Sequence, residues 1–165
     1  MAGIGVPVVS QWVGESMTDA ELYEKHADEL IRFASALVGP SLAEDVLAAA
    51  VASALASPSW ASVVNKRAYL FRCVTTEGSR MARAAGRRLR REMRVAQSEP
   101  HVDEPLDRDV ISALLALSAR QRAVVYLTYW LELNAAETAG IVNCSERTVE
   151  RELGRARRVL EGKLS

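Results

Sequence analysis

The 165-residue chain has little of what catalysis, metal binding or secretion draws on. Histidine occurs twice, as His26 and His101. Cysteine also occurs twice, and Cys73 and Cys144 lie far apart with no histidine beside them. That spacing fits neither a zinc site nor a disulfide framework, and reads as buried thiols in a reducing compartment. No glycine-rich loop for phosphate and no acid–nucleophile pairing is present, so the expectation is no enzyme, no catalytic residue, no metal, no cofactor and no small-molecule substrate. His26 falls on the apolar side of its helix and reads as a core histidine. No apolar run approaches the roughly 18 residues that cross a bilayer, and no signal-peptide pattern opens the chain. A cytoplasmic protein without membrane insertion is expected. Net charge is absent too: Lys+Arg and Asp+Glu stand at 21 each, so total charge names no polyanionic partner.

What is present is alanine, a 49% apolar composition and an uneven distribution of charge. Aromatics make up 5%, and abundant small side chains favour closely packed helices, so the fold expected is all-α. Five basic and nine acidic residues precede Arg80, whereas Arg80 to Arg94 holds seven arginines against the single Glu92. A neutral chain with one dense arginine block has either a polyanion site or a long solvated helix face.

Helix signals recur along the chain. Thr18-Asp19-Ala20-Glu21 reads as a capping box, with Leu22, His26, Leu30, Phe33, Ala34 and Leu37 at helical spacing up to Gly39-Pro40. A second box, Ser41-Leu42-Ala43-Glu44, opens an alanine-rich helix to about Ala56, where Ser57-Pro58-Ser59 breaks it. A long helix from Arg67 to about Arg94 carries the arginine block in its second half. The organisation expected is a tail over 1–16, a helical domain over 17–95, a polar linker over 96–107 marked by Pro100 and Pro105, and a second small helical domain over 108–165.

The last segment is the most informative. Asn134-Ala135-Ala136-Glu137 is a capping pattern for a two-turn helix with Ala139 and Val142 inward. Asn143-Cys144-Ser145 makes a tight turn in which Asn143 accepts the left-handed conformation. Ser145 caps a final helix with Val149, Leu153, Ala156 and Leu160 on its buried face. Two helices joined in this way, with arginines outward, describe a helix-turn-helix; on this pattern alone an ordinary helical hairpin stays open.

Leu117-Ser118-Ala119-Arg120-Gln121-Arg122-Ala123-Val124, Ala136-Glu137-Thr138-Ala139, Cys144 to Val149 and Leu153-Gly154-Arg155-Ala156-Arg157-Arg158 together resemble region 4 of the extracytoplasmic-function (group IV) sigma factors of the sigma-70 family. Tyr23 to Asp45 resembles the opening of sigma region 2, and Ala68 to Val74 resembles the promoter-melting helix of that region. The two stretches stand in the family's order and cover about 140 residues. The resemblance implies an alternative sigma factor that binds core RNA polymerase and promoter DNA and directs transcription initiation, often under an anti-sigma factor. It implies −35-type readout by Arg147, Thr148, Glu150, Arg151, Arg155, Arg157 and Arg158. It implies −10-type and phosphate contacts by Trp60, Lys66, Tyr69, Arg72, Thr76, Arg80, Arg83, Arg87, Arg88, Arg90 and Arg91. Polymerase docking falls to Glu44, Asp45, Leu47, Ala48 and Ala49.

The sequence departs from the family where Ala48, Ala49 and Ala50 replace Gln-Glu and a bulky residue, where Thr76 replaces asparagine, and where Arg80 replaces aspartate. Glu150 and Glu152 occupy recognition-helix positions that are usually basic or small, and would repel phosphate if they faced it. A sigma-derived adaptor or DNA-binding regulator that no longer directs initiation is therefore the second reading.

Overall fold

The computed structural model describes residues 17–96 and 113–164; the proposed tail, the linker and the start of the second domain lie outside the described residues. The described residues form helices and no strand. Helix α1 spans Asp19–Val38, α2 Pro40–Ala56, α3 Lys66–Ala85, α4 Arg87–Ala96, α5 Ala119–Val125, α6 Ala135–Val142 and α7 Glu146–Leu164. A 3-10 turn at Trp60–Ser62 precedes α3, and a π-helical turn at Tyr126–Trp130 extends α5.

The Thr18 box forms as expected, with Thr18 N–H donating to Glu21 Oε2 at 2.9 Å and Glu21 N–H to Thr18 Oγ1 at 3.2 Å. Behind it Leu30, Phe33, Ala34, Leu37 and Val38 are buried. The second helix does not start at the Ser41 box. Gly39, at φ 82°, closes α1 and also starts α2, with Pro40 in the first turn. Proline has no N–H to leave unpaired there, and glycine alone turns the corner without a steric penalty. The single long helix expected from Arg67 to Arg94 is also corrected: it breaks into α3 and α4 at Gly86, whose φ is +46° and ψ −120°.

Helices α1, α2 and α3 pack on one another through Phe33, Val46, Phe71 and Val74, and Phe33 meets Phe71 at 5.1 Å between ring centroids. Gly78 makes the α1–α3 approach feasible, since a Cβ there would lie 2.9 Å from Leu37 Cδ1. The second half does not stand apart. Helix α5 packs on α1, and α6 on α3, so Val124, Leu127, Ile141 and Val149 join the same buried cluster. Phe33 meets Tyr126 across this seam at 5.3 Å, and Arg122 Nη2 donates to Leu37 O at 2.8 Å.

Candidate nucleic-acid interface

The helix-turn-helix is built locally. Asn134 Oδ1 accepts the Glu137 N–H at 2.9 Å, and Glu137 Oε2 accepts the Asn134 N–H at 3.1 Å, which starts α6. Asn143 ends α6 at φ 59°, ψ 55°, the left-handed conformation expected of it. Ser145 Oγ accepts the Thr148 N–H at 3.1 Å and starts α7. Val149 and Ala156 are fully buried and Leu153 and Leu160 half-buried, which leaves Arg147, Glu150, Arg151, Arg155, Arg157 and Arg158 on the exposed side.

Three members of the proposed −35-type set, Thr148, Arg155 and Arg157, are already engaged. Thr148 Oγ1 lies 2.9 Å from Ser145 Oγ within the cap. Arg157 donates to the Tyr129 hydroxyl at 3.0 and 3.3 Å, which ties α7 to the exposed aromatic pair Tyr129 and Trp130. Glu152, which would repel phosphate if it faced it, does not: it is 8% exposed and bonded to Gln121 and Arg155. The 3.6-residue period turns it toward α5, where two donors offset its burial.

In the first half, Tyr69, Arg72 and Thr76 line one side of a cleft of about 180 Å³ together with Ser53, Cys73 and Glu77, three residues that sequence reasoning missed. For Cys73 and Glu77 the signal was the periodicity of α3, which places residues 69, 72, 73, 76 and 77 on one face. Ser53 comes from α2 and carried no such signal. Thr76 Oγ1 donates to Arg72 O at 3.1 Å, so its hydroxyl meets an incoming group as an acceptor. Burial pushes the Cys73 thiol up to about 11, although Arg72 pulls the other way, so the cleft holds a neutral thiol. Arg80 pairs with Glu77 at 2.5 Å on the surface, a contact weak enough to exchange for phosphate.

Of the two roles the sequence left open for Trp60, packing and DNA contact, the fold favours packing. Its indole is 7% exposed, 5.9 Å from the Tyr69 ring, with Lys66 Nζ 4.9 Å above it. An indole brings more apolar area than any other side chain, and the turn at Ser57–Ser59 folds it inward. Leu47, expected to dock polymerase, is 5% exposed because it packs into the α1–α2–α3 core. Its neighbours Glu44, Asp45 and Ala48 are exposed and Ala49 is half-buried. On α3 and α4, Arg83, Arg87, Arg88, Arg91 and Arg94 are exposed, whereas the Arg90 side chain lies outside the described residues. No group of His, Cys, Asp and Glu able to hold a metal occurs among the described residues, and no helix among them is long and apolar enough to cross a membrane.

Comparison with known proteins places this geometry. Residues 107–160 match the family model described as Sigma-70, region 4. RNA polymerase sigma-E factor of Streptomyces antibioticus is 32% identical over 155 residues, covering 87% of this chain and 82% of that protein. The sigma-E factor of Streptomyces coelicolor is 31% identical over 157 residues, covering 87% and 84%. A solved structure of the Bartonella quintana sigma factor RpoE, in complex with the anti-sigma factor NepR, superposes with a TM-score of 0.63 at 26% identity, covering 88% of this chain and 95% of that one. The chain therefore belongs to the RNA polymerase sigma factors, a family of regulators of transcription without catalytic activity of their own. Within it the chain is an alternative sigma factor of the sigma-E-like, extracytoplasmic-function kind.

Proposed function

We propose that this sigma factor is a group IV member that works in the cytoplasm as a dissociable, non-catalytic subunit of RNA polymerase. Helix α2 meets core polymerase through the exposed Glu44, Asp45, Ala48 and Ala49, with Leu47 holding the helix in place from below. The cleft around Tyr69, Arg72 and Thr76 takes part of the −10-type element, and α4 tracks the phosphates beside it. Helix α7 enters the major groove at the −35-type element, its first turns on base edges and its later arginines on phosphate. The observation that carries this reading is the exposed face of α7, where Arg147, Glu150 and Arg151 stand opposite the buried Val149 and Ala156.

The Bartonella relative was solved with an anti-sigma factor, and control by such a partner is part of the proposal for this chain. The alanines on α2 are departures from the family that offer no hydrogen bonds and little area, which favours docking by shape alone. A pull-down of core polymerase with the full chain, followed by run-off transcription from DNA selected out of a random library, tests the reading. Capture of polymerase and a defined start site are expected. Sequence-selective DNA binding without polymerase capture would replace it with the adaptor reading.

A further inference from the structure

Glu150 and Glu152 both occupy α7 positions where sigma factors usually carry basic or small residues, but they have different surroundings. Glu150 is exposed, whereas Glu152 is 8% exposed and held from two sides. Gln121 Nε2, from α5, donates to Glu152 Oε2 at 3.2 Å, and Arg155 Nη1, one turn along α7, donates to Glu152 Oε1 at 3.2 Å. Gln121 is itself fixed, because its Oε1 accepts the Ser118 N–H at 3.0 Å in the capping box of α5. A continuous line of hydrogen bonds thus runs from the first turn of α5, through a buried carboxylate, to a guanidinium whose side chain is 52% exposed. A carboxylate removed from water is tolerated only where donors meet it, and a network satisfied at each member holds its members in one geometry.

We propose that Glu152 is a positioning residue for DNA readout. It holds Arg155 in one rotamer with the remaining N–H groups facing outward, and through Gln121 it fixes the rotational setting of α7 on α5. The proposal rests on α7 being the recognition helix and goes beyond that reading by assigning a role to a residue that does not touch DNA. Its physical signature is a pair of opposed effects. The negative charge weakens attraction to any duplex, while the fixed guanidinium favours the one duplex whose phosphates and bases match it. Removing Glu152 therefore raises non-specific affinity and lowers specific affinity. A residue with a purely structural role would lower both, and one that only repelled DNA would raise both when removed.

The test uses the full chain and two duplexes of equal length: the sequence that wild-type protein enriches from a random library, and a scrambled version of it. Glu152→Ala is expected to shrink the ratio of the two affinities about tenfold, equivalent to about 1.4 kcal/mol. Glu152→Gln, which keeps the size and the contact to Gln121 but not the charge, is expected to recover part of that ratio. In an Arg155→Ala background, Glu152→Ala is expected to change the ratio less than it does alone, keeping only the part that acts through Gln121, because neighbours acting through one another are not additive. Circular dichroism reports whether each variant is folded, and Glu152→Gln decides the matter alone if Glu152→Ala is not. An unchanged ratio, both affinities moving in the same direction, or an undiminished loss in the Arg155→Ala background overturns the proposal. Wild-type protein that enriches no sequence removes the recognition-helix reading and the proposal together, a result distinct from the others because no ratio then exists to change.

Discussion

Arg147, Glu150 and Arg151 point outward because Val149, Leu153 and Ala156 commit the opposite side of α7 to the core. Side chains in the first turns of such a helix reach base edges, and later ones reach phosphate. Arg151→Ala is therefore expected to cost on the order of 1–3 kcal/mol at the selected site and to relax preference at one base position, as read by repeating the DNA selection. Glu150→Ala decides between two chemistries at its position: specific binding weakens if the carboxylate accepts from cytosine N4, and all binding strengthens if it only repels phosphate. A second residue-level prediction concerns pH. His26 Nδ1 lies 2.7 Å from Glu29 Oε1, and Glu29 forms paired hydrogen bonds with Arg67 at 2.5 and 2.6 Å. Burial lowers the His26 imidazole below its ordinary value of 6.5 even though Glu29 pulls it up. Below 6.5 the unfolded chain then binds the proton more readily than the folded one, so this part of the stability is present above 6.5 and is lost as pH falls toward the folded value. Urea unfolding at about pH 7.5 and about pH 5.5 should show the loss, and His26→Gln should reduce it. The caps of Thr18, Asn134 and Ser145 were legible because each is satisfied within three residues of itself. The burial of Glu152, Trp60 and Leu47 was less legible because it is set by partners distant in sequence or by a turn whose direction composition does not encode.

At the scale of elements, the arginine block shows what periodicity alone misses. It reads as the tail of one long helix, but Gly86 takes a left-handed φ of +46° and separates α3 from α4. Nothing lies within 4 Å of a Cβ built at Gly86, so space does not require glycine there; the backbone angle does. A sequence pattern shows that a glycine interrupts a helix but not which φ it adopts. The start of α2 was misplaced for a related reason: Ser41 carries a capping signature, but Pro40 suits the first turn better, and the helix begins there. The break leaves α4 as a separate basic helix whose Arg87, Arg88, Arg91 and Arg94 are exposed. Each arginine that contacts a phosphate releases a counterion and adds about 0.9 to the slope of log affinity against log salt. Replacing Arg87, Arg88, Arg90 and Arg91 by alanine should flatten that slope while leaving the preferred sequence unchanged, as measured by fluorescence anisotropy across a salt series. An unchanged slope would assign α4 to a protein partner.

At the scale of the whole molecule, the sequence divides the chain into two modules at a polar, proline-bearing stretch, and the fold joins them again. The seam is Phe33 against Tyr126, Arg122 on the Leu37 carbonyl, and α6 laid on α3. None of this was legible, because Tyr126 and Arg122 carry ordinary core and helix signals and the partner that covers them lies 85 residues away in the Arg122 contact. A chain of this length packed as one body has a radius of gyration of about 15 Å, hence a width near 40 Å. If the −10-type and −35-type elements proposed for this chain stand about 17 base pairs apart, they lie roughly 58 Å apart, more than the width of the packed form. The proposed linker over 96–107 adds at most about 40 Å when the modules part, which covers the difference. Protease cleavage within that linker therefore has a definite expected result. The two fragments should stay together on gel filtration, because an aromatic contact and shared buried residues hold them without a backbone connection. Because apolar burial dominates this seam, raising salt should not release them. Tyr126→Ala in the nicked protein should separate the fragments at concentrations where the wild-type pair stays together, since losing a half-buried aromatic ring typically costs several kcal/mol. A duplex carrying both elements should also part the nicked wild-type modules, detected as a fall in energy transfer between dyes at Ser59 and Gly162. Fragments that elute separately before any DNA is added would mean that the modules are independent in solution and that promoter binding does not have to open the seam.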